Sequence, residues 1–163
     1  MTMPNNIIIS GRKRIAYKYE RASDFSGHIC YDDNFPVDVP DFNRLTLQVG
    51  DITPKLMGTK SGKLMTGEQM IHVLDYLNHW KRRGGNLLVN CTAGRSRSTA
   101  TAMVAHFVLH QQEEHVSVDW LFLNYPRSKP NGWILKLADN IIGSDLFGTT
   151  ERLAFVKWDR LRP

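Results

Sequence analysis

Cys91-Thr92-Ala93-Gly94-Arg95-Ser96-Arg97-Ser98 is the segment of this chain best suited to covalent chemistry. A cysteine, five residues, an arginine and a hydroxyl residue fall within one short stretch. If that stretch turns from a strand into a helix, successive backbone N–H groups can point inward at the positive helix end and form an oxyanion nest. The same field favours thiolate over thiol at Cys91, and a thiolate is nucleophilic at neutral pH. Arg97 can hold two phosphoryl oxygens with its planar fork, which the point charge of a lysine cannot do. Ala93 and Gly94 are small enough to let the backbone close on an anion. The plain alternative is a buried, inert cysteine ahead of a surface arginine. Nucleotide binding by a glycine-rich loop fails because no Gly-Lys-[Ser/Thr] follows.

Expelling an alkoxide or phenolate from phosphorus needs a general acid, and the later attack of water needs a base. One carboxyl group can serve both steps. Asp32, Asp33, Asp38, Asp41 and Asp51 are the candidates. Asp51 is preferred because it directly follows an apparent strand and opens a loop that can swing over the site; the alternative is an ordinary strand-end turn residue. His106 and His110 share a helix face and His115 lies nearby, but buried or surface histidines are the preferred reading over a metal site.

The elements that must position these residues are readable around them. Asn86-Leu87-Leu88-Val89-Asn90 reads as a buried strand, and Ser98 to His110 as a helix apolar nearly all round, hence central. A preceding helix starts near Thr66, where Thr66 and Gln69 have capping-box spacing, carries Met70, Leu74, Leu77 and Trp80, and ends at Gly84-Gly85. Earlier strands are expected at Ile7–Ser10 and Gly27–Tyr31, and a half-buried one where Leu45, Leu47 and Val49 alternate with polar residues. A loop rich in Asp and Pro spans Asp32–Asp41, and a mobile surface loop spans Gly50–Leu64. Further helices are expected at Val116–Asn124, Asn131–Ile142 and Thr150–Arg160. Strands alternating with helices predict an α/β fold: a central, mainly parallel, twisted sheet of four to five strands flanked by helices.

The chain of 163 residues shows no repeat, linker or low-complexity stretch, so one domain over residues 1–163 is expected. No apolar run is long enough for a transmembrane segment, and the N-terminus does not read as a signal peptide. Two cysteines are too few for a disulfide framework and fit a reducing, cytoplasmic setting. A net charge of +5 and a pI of about 9.4 favour an anionic partner: a phosphorylated substrate, nucleic acid or an acidic membrane.

With these residues in view, the sequence resembles the protein tyrosine phosphatase superfamily, in particular its compact dual-specificity-like branch and the small bacterial members of that branch. The resemblance runs from Gly27 to about Gly143 and rests on Leu-Thr-Leu-Gln-Val-Gly-Asp (45–51), Val-Asn-Cys-Thr-Ala-Gly-Arg-Ser-Arg-Ser-Thr-Ala (89–100) and Arg-Ser-Lys-Pro-Asn (127–131). The low-molecular-weight branch, with its loop at the N-terminus, is disfavoured. The resemblance implies Cys91 as nucleophile, Arg97 as phosphate clamp, Asp51 as general acid, and Ser98 as the hydroxyl that stabilises the departing thiolate. Helix capping is the equally natural role for Ser98. Thr92, Ala93, Gly94, Arg95, Ser96 and Arg97 become the substrate-binding loop, with Arg95 pointing outward toward an acidic substrate or simply to solvent. No cofactor or metal is implied. The expected reaction is hydrolysis of phosphotyrosine, and of phosphoserine or phosphothreonine, in a phosphorylated protein substrate. Phosphoinositide or RNA 5′-phosphate hydrolysis, a phosphate-binding pseudophosphatase and sulfur transfer are the alternatives. The family usually has histidine just before the nucleophile; this chain has Asn90. Phosphoinositide-type relatives with a cysteine near the place of Cys30 imply a reversible Cys30–Cys91 disulfide.

Overall fold

The computed structural model describes residues 6–15, 25–31, 43–56 and 62–160, with side chains described as far as Ala154. The loop expected at Asp32–Asp41, which carries four of the five candidate acids, lies outside the described residues.

Among the described residues four parallel strands form one sheet: β1 (Ile7–Gly11), β2 (Phe25–Cys30), β3 (Arg44–Thr46) and β4 (Asn86–Cys91), in the order β1-β4-β2-β3. β4 is interior because Leu87, Leu88 and Val89 are apolar on both faces, and all three are fully buried. Alternation along the strands sends Ile7, Ile9, Ile29, Leu87, Val89 and Cys91 into the main core. Ile8 and Leu88 point to the other face, where they meet Ile15 and Phe25.

Five helices are present among the described residues: α1 (Gly67–Arg83), α2 (Arg97–His110), α3 (Glu114–Asn124), α4 (Gly132–Ile142) and α5 (Leu146–Arg160). α1 begins with the expected capping box, Thr66 and Gln69 each bonding the other's backbone N–H, and stops at Gly84, whose φ of 78° suits glycine. Every residue of α2 from Ser98 to His106 is buried, which makes it the central helix. No helix among the described residues is long and apolar enough to cross a membrane.

Two boundaries differ from the sequence reading for identifiable reasons. Leu47 and Val49 are buried, but only Arg44–Thr46 form a strand. β2 ends at Cys30, and the Val49 carbonyl is taken by Arg97 instead of a strand partner. α5 begins at Leu146 and not at Thr150, because the Asp139 carboxylate at the end of α4 accepts from the N–H groups of Leu146 (2.8 Å) and Phe147 (2.9 Å) and caps it from outside. The described ends of the Gly50–Leu64 loop form a neck closed by Gly50 N–H donating to Lys63 O at 2.9 Å.

Candidate active site

The turn from β4 into α2 brings the chemical residues together. Gly94 takes φ of +68°, and β1 passes so close that a Cβ there would lie 2.5 Å from Gly11 N. Only glycine meets both demands, so this residue lets the loop curl back over the sheet edge.

Cys91 ends β4, buried at the floor of that curl. Its Sγ lies 3.1 Å from Ser98 Oγ and accepts from the Gly94 N–H at 3.2 Å. Burial by itself pushes the thiol pKa up. The Ser98 hydroxyl and the backbone N–H groups of Ser98, Ser96 and Arg95 outweigh it, and Cys91 is held below the ordinary thiol value. Loop amides and one hydroxyl thus favour the thiolate at Cys91 more than an ordinary cysteine would.

Arg97, the first residue of α2, is fixed from three directions. Its Nη1 donates to Val49 O at 2.6 Å and Tyr31 O at 3.3 Å, and its Nη2 donates to Thr92 Oγ1 at 3.2 Å. Its Nε is buried and has no partner among the described residues. A buried guanidinium N–H left over after the fork has been oriented is a donor waiting for an acceptor.

Asp51 is docked on the loop. Its Oδ1 accepts from Ser96 Oγ at 2.5 Å and from Asn131 Nδ2 at 3.0 Å. The segment Arg127–Asn131 is itself laced to the loop, with Lys129 N donating to Arg95 O at 2.8 Å and Asn131 N to Ser96 O at 3.2 Å. Arg95 is exposed, and its Nε donates to Arg127 O at 3.3 Å.

Cys91, Arg97, Ser98, Asp51 and the loop residues Thr92–Ser96 are thus assembled at one place. Sequence reasoning missed the carbonyls of Tyr31 and Val49 as anchors of Arg97, and the tie from Asn131 to Asp51. A carbonyl carries no sequence signal; Asn131 did, through the Pro-Asn pair, but its second bond is visible only in three dimensions. Cys30 sits opposite Asn90, not Cys91, and strand alternation turns the two cysteines to opposite faces of the sheet. Neither is in a disulfide, and a bridge between them requires one strand end to turn over.

The histidines take structural partners. His106 Nδ1 is 2.9 Å from Ser117 Oγ and its ring stacks on Trp120, while burial and the neighbouring His110 push its pKa down to about 4. His115 pairs with Glu113 at the surface. No cluster of three metal-ligating side chains occurs among the described residues.

No family model and no curated protein matches the chain. Solved structures do. Human DUSP28 superposes with a TM-score of 0.62 at 18% identity, covering 91% of this chain and 93% of its own. DUSP15 gives 0.61 at 13% identity, covering 91% and 90%. A mouse protein described as a dual specificity phosphatase, complexed with zinc tungstate, gives 0.62 at 18% identity, covering 82% and 80%. The chain has the fold of the dual specificity phosphatases.

Proposed function

We propose that this chain is a cysteine-dependent phosphoric monoester hydrolase acting on phosphotyrosine, and on phosphoserine or phosphothreonine, in protein substrates. The observation that carries the reading is the pairing of a Cys91 sulfur favoured as thiolate with a buried Arg97 Nε that has no partner among the described residues. In the first step the thiolate attacks phosphorus, forming an S–P bond as the P–O bond to the leaving group breaks. Arg97 and the loop N–H groups bear the charge on the equatorial oxygens. Asp51, in its acid form, gives its proton to the leaving oxygen. Both described bonds to Asp51 fall on Oδ1, which leaves Oδ2 for that proton. In the second step Asp51 takes a proton from water, the water oxygen attacks phosphorus, and Cys91 departs as a thiolate accepting from Ser98. The chemistry asks for no cofactor.

A crevice of about 560 Å³ beside the loop, lined by Lys13, Arg14 and Arg127 together with Thr92, Ala93 and Gly94, favours a second reading. Those basic groups also suit a phosphoinositide or an RNA 5′-phosphate. The low cysteine count of the sequence, two in 163 residues, is what supports placing it in a reducing, cytoplasmic setting.

The test is turnover of an aryl phosphate by the wild-type protein, Cys91→Ser and Arg97→Lys, with and without EDTA. Cys91→Ser should abolish turnover yet still bind tungstate, Arg97→Lys should lose most activity despite keeping its charge, and the chelator should change nothing. Full activity in the serine variant ends the covalent mechanism. Chelator inhibition reversed by added metal would make the protein a metallophosphatase. A panel of phosphopeptides, phosphoinositides and 5′-phosphorylated RNA then separates the two readings.

A further inference from the structure

We infer that His28 is a positioning residue for the Cys91 nucleophile, acting through Asn90. The inference rests on the cysteine-phosphatase reading and adds to it a residue from another strand. His28 on β2 stands opposite Leu88 of β4, so Asn90 lies two positions further along on the same face. The two side chains close that step: His28 Nε2 is 2.6 Å from Asn90 Oδ1, and neither residue is exposed. The main chain is tied as well, since Asn90 O accepts from Tyr31 N at 3.0 Å. Asn90 is therefore held to β2 and the residue after it by both side chain and backbone, one residue before the nucleophile.

A buried imidazole and a buried amide both cost stability relative to apolar residues of the same size unless they satisfy each other. Apolar side chains would fill this face of the sheet, as Ile8 and Leu88 do beside them. Asn90 Nδ2 has no hydrogen-bond partner among the described residues, so the described bond orienting this amide is the one to His28. Orientation matters because the next residue must place Sγ within reach of Ser98 Oγ at 3.1 Å and Gly94 N at 3.2 Å together. With Nε2 as the donor, the imidazole prevents the strand end from twisting at Asn90, and the sulfur stays in that shell.

The readout is the alkylation rate of Cys91 by iodoacetamide at about pH 6, where rate follows thiolate content. The modified peptide is identified by mass spectrometry, and the assay does not depend on any phosphatase turnover. His28→Gln keeps an N–H near the place of Nε2 and should react within about twofold of wild type. His28→Leu keeps the bulk, loses the donor and should react about tenfold more slowly. In an Asn90→Ala background, His28→Leu should have no further effect, because the coupling has already been cut. Equal losses in the glutamine and leucine variants, or additive losses in the double variant, overturn the inference. If the leucine variant does not fold, ¹⁵N NMR of the wild-type imidazole decides: a proton on Nε2 supports the donor assignment and a bare Nε2 overturns it. The expected alkylation pattern without aryl phosphate turnover would leave the role of His28 supported while removing the phosphatase reading.

Discussion

Asn131 divides its side chain between two tasks. Its Oδ1 caps α4 by accepting from Trp133 N (3.1 Å) and Ile134 N (3.2 Å), while its Nδ2 donates to Asp51 Oδ1 at 3.0 Å. The start of one helix and the placement of the proposed general acid therefore depend on the same residue, and substitution can separate them.

Asn131→Asp keeps an oxygen for the cap but turns the other end into an acceptor facing the Asp51 carboxylate. Its melting temperature should fall despite the kept cap, because a second carboxylate then faces Asp51 and the Ile52 carbonyl in a buried spot, and kcat on an alkyl phosphate should fall about tenfold. Asn131→Ala should lose the cap as well, at about 1 kcal/mol. Thermal melts alongside turnover check both. An aspartate variant with full kcat on the poor leaving group would show that Asn131 does not place the acid.

Asp51→Asn should hurt in proportion to the leaving group's need for a proton. Turnover of an alkyl phosphate should fall about 10²- to 10³-fold, and turnover of a nitrophenyl phosphate much less. Steady-state kinetics on a leaving-group series reads the difference. The same split appearing in Asp41→Asn, with Asp51→Asn silent, would move the acid to Asp41.

Ser98→Ala removes the side-chain donor to the Cys91 sulfur. The Cys91 pKa is depressed in the folded protein, so the thiolate dominates above that depressed value and is lost as pH falls through it. Without the hydroxyl the pKa rises, and the acid limb of kcat/KM should move to higher pH. The same depression makes folding stability grow with pH between the lowered native value and the ordinary thiol value. That increment should shrink in Ser98→Ala and vanish in Cys91→Ser. Urea unfolding across this pH range, together with the pH–rate profile, tests the pair. An acid limb that stays in place would show that the loop amides alone hold the thiolate.

The elements nearest the chemistry were legible because local rules act there without competition. Leu87-Leu88-Val89 can only be an interior strand, the Ala- and Met-rich stretch after Ser98 can only be a central helix, and Thr66 with Gln69 names its own helix start. The errors fall where a distant group takes over a local one. The strand expected through Val49 stops at Thr46, where its partner β2 ends at Cys30, and Arg97, far along the chain, takes the Val49 carbonyl. The start of α5 was misplaced because Asp139 reaches over from the preceding helix. In the candidate site, residue types pointed to Cys91, Arg97 and Asp51, which the fold brings together. The ties that aim them, from Tyr31, Asn131 and His28, depend on which strands lie side by side, and composition does not encode that.

Gly94 ties the fold to the chemistry at a single Cα, and a paired substitution measures it. Gly94 and Gly143 both adopt left-handed backbone, with φ of 68° and 72°. At Gly143 a Cβ would meet nothing within 4 Å, so Gly143→Ala should cost only the conformational penalty of about 1 kcal/mol. At Gly94 the Cβ would meet the backbone of Ser10 and Gly11 at 2.5 to 2.7 Å, and backbone cannot swing aside as a side chain can. Gly11 is also the register partner of Cys91, so relieving the clash moves β1 away from the strand position of Cys91 itself. Gly94→Ala should therefore destabilise by about 2–4 kcal/mol and lose both aryl phosphate turnover and tungstate binding, while Gly143→Ala keeps both. Chemical unfolding and oxyanion titration of the two variants provide the comparison. Equal destabilisation with tungstate binding intact in Gly94→Ala would mean that the loop does not need β1 to hold its shape.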